Sequence, residues 1–137
     1  MKMDAAAFVA DQELVEALRK HSSPVECDED RVLFTQGETP TGLFIFHRGV
    51  VRLVMRSQMG DRLMDLAALE GSLLGLPGLI GGTAYSLTAF AQKGAEVGFV
   101  SRDQFAQVML GQPSIAVGIL RVLAAEVRTA RMALVGG

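Results

Sequence analysis

The sequence predicts a mainly β domain, a small antiparallel sandwich or roll with helices on either side. Short apolar runs alternate with glycine turns between residues 25 and 100, and this alternation is typical of consecutive short strands. Before and after this region, apolar residues recur at helical spacing instead. The expected order along the chain is therefore one helix, a β-roll over 25–100 and two further helices.

The composition is that of one folded domain, which we expect to span 1–137. Half of the 137 residues are hydrophobic and a fifth are charged, which is enough to bury one core without disulfides or metals. The formal net charge of -2 gives no support for a nucleic-acid partner, and the single Cys27 excludes an internal disulfide. The longest uncharged stretch, 71–92, is interrupted by Pro77 and several glycines. We therefore expect no membrane span and a cytoplasmic location.

The first helix is predicted over 4–20, where Phe8, Leu14 and Leu18 recur at helical spacing. Glutamates lie between these apolar positions, as on the solvent side of an amphipathic helix. Pro24 follows soon after and favours an end to the helix before the roll begins.

Within the roll, the continuous apolar run 43–46 predicts a strand that is covered on both faces. Val51, Leu53 and Met55 alternate with positions that include two arginines, which indicates a strand with one buried face. Further strands are expected at 62–68, 86–91 and 96–100. Turns are expected at five glycines, namely Gly37, Gly42, Gly49, Gly60 and Gly71.

Two helices are predicted after the roll, over 102–110 and 114–135. Ser101 and Gln104 form a capping box at the start of the first, and Pro113 suits the first turn of the second. The last helix carries an apolar seam with the 3-4 spacing of a coiled coil, at Leu120, Leu123, Val127, Ala130 and Leu134. We expect a homodimer through this seam, with packing against the domain's own sheet as the open alternative.

Two segments resemble the cyclic-nucleotide-binding domain of catabolite-activator-type (Crp/Fnr-like) regulators, kinase regulatory subunits and gated channels. The segment 33–38 reads LFTQGE and 42–53 reads GLFIFHRGVVRL, and both are similar to the family pattern in length and glycine placement. Phe105 and Pro113 also stand where the family's next helix has them. The resemblance implies an eight-stranded double-stranded β-helix, or jelly roll, with a ligand pocket inside. It also implies a final helix that moves or dimerises when the pocket fills.

The same resemblance places a phosphate-binding cassette at 75–86. The family carries a glutamate for the ribose and an arginine for the phosphate, whereas this sequence has Leu76 and Tyr85 at those positions. Leucine accepts no hydrogen bond, tyrosine is a neutral donor, and no Lys, Arg or His occurs from 63 to 92. The usual binding of cyclic AMP or GMP is therefore expected to be weak or lost. The candidate ligand-binding residues are Gly75, Leu76, Pro77, Gly78, Tyr85, Ser86 and Leu87.

The expected function is that of a regulatory sensor module. Catalytic motifs are missing from the sequence, which lacks a Walker loop, a G-x-S-x-G elbow and paired metal-binding histidines, so we do not expect an enzyme. In catabolite-activator-type regulators the last helix leads to a helix-turn-helix domain, which this chain lacks, so we expect no direct contact with nucleic acid. Three alternatives stay open: a pocket for an apolar metabolite, a ligand-free dimerisation or protein-docking domain, and a haem-binding gas sensor using His47 or His21.

Overall fold

A computed structural model describes residues 4–136 of the chain, and side chains as far as Thr129. Its strands are β1 (Ser23–Val25), β2 (Arg31–Phe34), β3 (Gly42–Arg48), β4 (Val51–Arg56), β5 (Arg62–Ala67), β6 (Ser72–Leu74), β7 (Thr88–Ala91) and β8 (Glu96–Ser101). Its helices are a 3-10 helix (Ala5–Phe8), α1 (Gln12–Arg19), α2 (Leu76–Gly81), α3 (Arg102–Gly111) and α4 (Pro113–Gly136).

The strands form two four-stranded antiparallel sheets, in the orders β1-β8-β3-β6 and β2-β7-β4-β5. The turn between β3 and β4 carries the chain from one sheet to the other. The two sheets and the flanking helices make the jelly roll that the sequence predicts. The cassette region joins β6 of one sheet to β7 of the other.

Strand β3 separates two hydrophobic cores. Phe44 and Phe46 point into the roll, where they join a cluster that includes Phe34, Val51, Leu53 and Leu74. Leu43 and Ile45 point the other way, into a cluster formed with the helices. Residues 43–46 are all buried, so the prediction of a strand covered on both faces is confirmed.

The prediction of one helix over 4–20 is wrong, because two separate segments are capped. Asp4 accepts a hydrogen bond from Ala6 N, and Asp11 accepts one from Leu14 N at 2.8 Å, so each aspartate begins its own helix. Between the helices Val9 is extended and pairs with Ser72. This break directs Phe8 into the roll while α1 packs in the helix-side core.

Gly42 is also a correction, since it lies in β3 rather than in a turn. The other four predicted turn glycines have φ between 86° and 105°, as turns require, whereas Gly42 does not. A Cβ on Gly42 would overlap the Val100 carbonyl oxygen and lie 2.7 Å from the Phe99 ring. Glycine is needed here for close packing between β3 and β8.

The C-terminal helices agree closely with the sequence. Ser101 and Gln104 make both hydrogen bonds of the predicted capping box at the start of α3.

In the part of the chain that the structure describes, no single helix is long and apolar enough to cross a membrane. Helix α3 and residues 113–129 meet that criterion only as a pair, and they are bent by 119° at their junction.

Replacing Gly42 by alanine is expected to lower the free energy of unfolding by about 1–3 kcal/mol, because the added methyl group overpacks the β3–β8 contact. Gly111→Ala is the matched control, since nothing lies within 4 Å of its Cβ position. It should stabilise by up to about 1 kcal/mol or leave stability unchanged. Urea unfolding followed by circular dichroism measures both, and equal midpoints for the two variants would contradict this assignment.

Candidate functional site

The cassette begins at Gly75, where the chain leaves β6 in a left-handed conformation with φ of 90°. A Cβ at this position would lie 2.7 Å from a ring carbon of Tyr85. Glycine therefore lets the two ends of the cassette approach each other. Helix α2 occupies the first half of the loop, and Pro77 removes one amide donor from its first turn.

Tyr85 lies inside the roll, at the position where the family resemblance places the phosphate-binding arginine. Its hydroxyl donates a hydrogen bond of 2.7 Å to the carbonyl oxygen of Gly42. Its ring stacks on Phe34, with 4.3 Å between the ring centroids, and Phe34 stacks on Phe44. Tyr85 is thus a core side chain whose polar atom is already satisfied.

Leu76 does not face the roll. It is fully buried in the helix-side core together with Leu79, while Ile80 of the same helix is exposed. Packing thus directs Leu76 toward the helices and places Tyr85 inside the roll, so neither lines the cavity described next, and their assignment as ligand-binding residues stays a prediction. The other five candidates, Gly75, Pro77, Gly78, Ser86 and Leu87, do line one cavity.

This cavity, which we call the cassette cavity, measures about 10 Å³. That volume is about enough for one water molecule. Its lining residues are Phe8, Phe34, Leu74, Gly75, Pro77, Gly78, Ser86, Leu87 and Glu126. This cavity between the roll and the cassette is therefore small, and it is apolar apart from Ser86, backbone groups and one carboxyl group.

Glu126, on α4, supplies that carboxyl group and was missed by the sequence reasoning. Its Oε2 atom is buried and has no hydrogen-bond partner among the described atoms. Burial raises the pKa of Glu126 to about 8. The sequence does hold a signal, since Glu126 is the sole acidic residue after Asp103 and lies in an otherwise apolar stretch of helix.

The arginines that could replace the missing cassette cation lie elsewhere. Arg52 forms an ion pair with Asp65 on the exposed face of its sheet, and this hydrogen bond holds the pKa of Asp65 below its usual value. Arg56 donates to the Gly60 carbonyl oxygen, and Arg128 is exposed on α4. Of the side chains that the structure describes, none that lines the cassette cavity is cationic.

The two histidines are separate from the cassette. His47 lies near the end of β3 and lines an open groove of about 570 Å³ with Cys27 and Arg19. Burial lowers the pKa of His47 and raises the pKa of Cys27. His21 is exposed after α1. Within the described residues, no group of three or more metal-binding side chains comes together.

The seam predicted on α4 is divided between two environments. Leu123 is half-buried against the helix-side core, in line with Ile115, Ile119 and Val122. Leu120 and Val127 are instead 63% and 51% exposed. Ala130 and Leu134 lie beyond the described side chains. The exposed apolar positions form a neighbouring row with 3-4-3 spacing, at Val117, Leu120, Ala124 and Val127, which we call the α4 stripe.

Solved structures similar to this chain come from bacterial regulators. The catabolite activator protein of Thermus thermophilus superimposes with a TM-score of 0.76 at 22% identity, covering 96% of this chain and 62% of its own. The N-terminal domain of a transcriptional regulator from Streptomyces coelicolor A3(2) gives 0.66 at 21% identity, covering 93% and 91%. The sensor domain of the regulator DNR from Pseudomonas aeruginosa gives 0.64 at 18%, covering 89% and 79%. This chain thus spans less than two thirds of the Thermus protein's length.

The family model of the cyclic nucleotide-binding domain matches residues 24–112. No curated protein sequence matches the chain significantly. The matched region begins beside β1 and ends between α3 and α4, so it contains both sheets and the cassette. The solved regulators share the fold of this chain, and because the family match covers more than half of the chain, the chain belongs to the cyclic nucleotide-binding domain family.

Proposed function

We propose that this domain is a regulatory sensor module that signals through α4 and does not bind cyclic nucleotides in the manner usual for its family. The placement of Tyr85 is the observation that argues against the usual binding of cyclic nucleotides. Where a phosphate would need a charged donor, the chain has a neutral side chain already bonded to Gly42 and stacked on Phe34.

The electrostatics of the cassette support the same conclusion. A cyclic phosphate carries a negative charge, which needs a cation or several convergent amide donors when it leaves water. The cassette cavity offers a carboxyl group, from Glu126, and the described part of the chain brings no cation to it. Losing one charge-assisted pair in a partly buried site costs about 2–5 kcal/mol, which is roughly a factor of tens to thousands in affinity.

Calorimetric titration with cyclic AMP and cyclic GMP tests this proposal. We expect no saturable binding tighter than about 100 μM, which corresponds to roughly 5.5 kcal/mol. Titrations should extend to millimolar nucleotide, so that a site weakened by the missing cation is still detected. Saturable binding below that limit would mean that an arginine now on the surface reaches the cassette, and the proposal would fail.

The output surface that we propose on α4 is a contact with a second copy of this chain. The α4 stripe has the spacing of a and d positions, and its large members are about half exposed or more. The opposite face of the helix is already used, because Ile115, Ile119 and Val122 are buried in the domain's own core. A self-complementary helix pair would cover the stripe with the same residues from a partner.

Leu120→Glu is expected to dissociate this dimer, because the pair would bury a charge in each apolar seam. Leu110→Glu is the matched control, since Leu110 is 86% exposed on α3 and lies outside the stripe. Sedimentation velocity over about 1–100 μM protein, a range that brackets typical specific associations, should give a dimer for wild type and Leu110→Glu. It should give a monomer for Leu120→Glu. A monomeric wild type, or a dimeric Leu120→Glu variant, would contradict the proposed surface.

A second candidate function is a ligand-free dimerisation or protein-docking domain. The size of the cassette cavity favours it, since about 10 Å³ admits no metabolite without rearrangement. Melting temperatures measured in the presence of nucleotides and of apolar metabolites distinguish a ligand-binding sensor from a ligand-free domain. A ligand that binds the folded state must raise the melting temperature. The haem hypothesis stays a prediction that an absorption spectrum of the purified protein tests.

A further inference from the structure

Glu126 is the buried polar group that the proposed function leaves unexplained. An isolated carboxylate is costly to bury without a partner, so such a group either finds a cation or keeps its proton. Here Oε2 has neither a hydrogen-bond donor nor a cation in the described structure. The carboxyl also borders the cassette cavity, at the boundary between α4 and the roll.

We propose that Glu126 is a proton-controlled plug: as a neutral acid it keeps the second half of α4 docked over the cassette, and as a carboxylate it releases that segment. The proposal rests on the proposed use of α4 as the output element. It adds to that function a second input, the proton, which acts at the wall of the same cavity.

Among the described residues, no neighbouring charge competes with this role. The residues that face Glu126 across the cavity come from the 3-10 helix, β2, β6, the α2 region and the loop before β7, and none is charged. Charged groups on these elements point elsewhere: Asp4 is exposed, and Arg31 donates to the Glu26 carbonyl oxygen. Arg121 and Arg128 of α4 are exposed, and Tyr85 is held by Gly42.

The first half of α4 is anchored more firmly than residues 123–129, so we expect the release to be confined to the later part of the helix. Its first half is fixed by Ile115, Ile119 and Val122, which are 1–4% exposed. From Leu123 to Thr129 no side chain is fully buried. Residues 123–129 are therefore held by fewer buried contacts than the first half of the helix, with the half-buried Leu123 and Glu126 supplying two of them. Segments with few buried contacts open at low free-energy cost.

The direction of the pH effect follows from the two states of the carboxyl group. Docking raises the pKa of Glu126 to about 8, while a released, solvated carboxyl returns toward its ordinary value of 4.5. The docked state therefore binds the proton more tightly, and its stability falls as the pH rises from 4.5 to 8. Above that window both states are ionised and the docking equilibrium no longer depends on pH.

Hydrogen exchange measured by mass spectrometry on peptides from the second half of α4 tests the plug. Wild type is compared with Glu126→Gln at each pH, so that the intrinsic pH dependence of exchange cancels in the ratio. The amide of glutamine stands in for the neutral acid and should keep the helix docked throughout. We expect the ratio of exchange rates to rise between about pH 5 and 8, by up to about tenfold per unit, and then to level off.

Glu70→Gln is the matched control, because Glu70 is exposed and distant from α4 in sequence. It should behave as wild type. Fluorescence emission of Tyr85 gives a second reading, since it is the sole tyrosine of a chain without tryptophan and its ring lies beside Gly75, a residue that lines the cavity. It should change over the same pH range in wild type and stay constant in Glu126→Gln.

A flat exchange ratio, or a pH dependence that persists in Glu126→Gln, would overturn the plug. Neither measurement requires a ligand or a dimer. A flat ratio in a dimeric protein therefore contradicts the proposed role of Glu126 but agrees with the proposed output surface. A rising ratio in a monomeric protein supports the plug and contradicts that surface.

Discussion

The double burial of β3 is the constraint on which the rest of this structure depends. One face of the strand carries Phe44 and Phe46 into the roll, and the other carries Leu43 and Ile45 toward the helices. Pairing with β8 and β6 on its two sides satisfies the backbone groups of a strand whose residues 42–46 are buried. Because both cores meet on this strand, the roll and the helical layer are stabilised as one unit.

The cassette is attached to the same strand through Tyr85 and Gly42. An arginine at position 85 would place a charge in the roll, which is costly whenever no anion is bound. A tyrosine that donates to the Gly42 carbonyl oxygen avoids that cost. Tyr85 therefore lacks the charge that the family uses for phosphate and stabilises the filled roll, and stacking against Phe34 adds to this stabilisation.

Features with a local cause were predictable from the sequence. The apolar run of β3 and the capping box at Ser101 need only neighbouring residues, and both are confirmed. The break after Phe8 has a local part, the Asp11 cap, but it was missed because the extended Val9 also pairs with Ser72, which is distant in sequence. The direction of Leu76 was missed for a related reason, since a helix of six residues is too short to show a periodic face.

The sequence predicted where in the chain the candidate site lies, but it did not predict all of the residues that line it. Resemblance located the loop 75–86, and five of its seven proposed residues meet at the cassette cavity. Glu126 lies 40 residues beyond Ser86 in a helix whose apolar spacing drew attention to packing alone. Hydrophobic periodicity identifies what a helix buries by area, and it gives no information about a single polar group enclosed by tertiary contacts.

Helix α4 presents two faces with different chemistry, and this arrangement offers a physical route for the proposed output. One face carries Ile119 into the domain's own core and, two turns later, Glu126 toward the cassette, whereas Leu120 and Val127 lie about a quarter turn round the helix and are exposed. Since α4 is continuous through residue 126, a displacement at Glu126 must also move Val127, the adjacent member of the stripe. Coupling between the cassette and the proposed partner surface would then require no chain of intermediate residues, because one helical turn carries both.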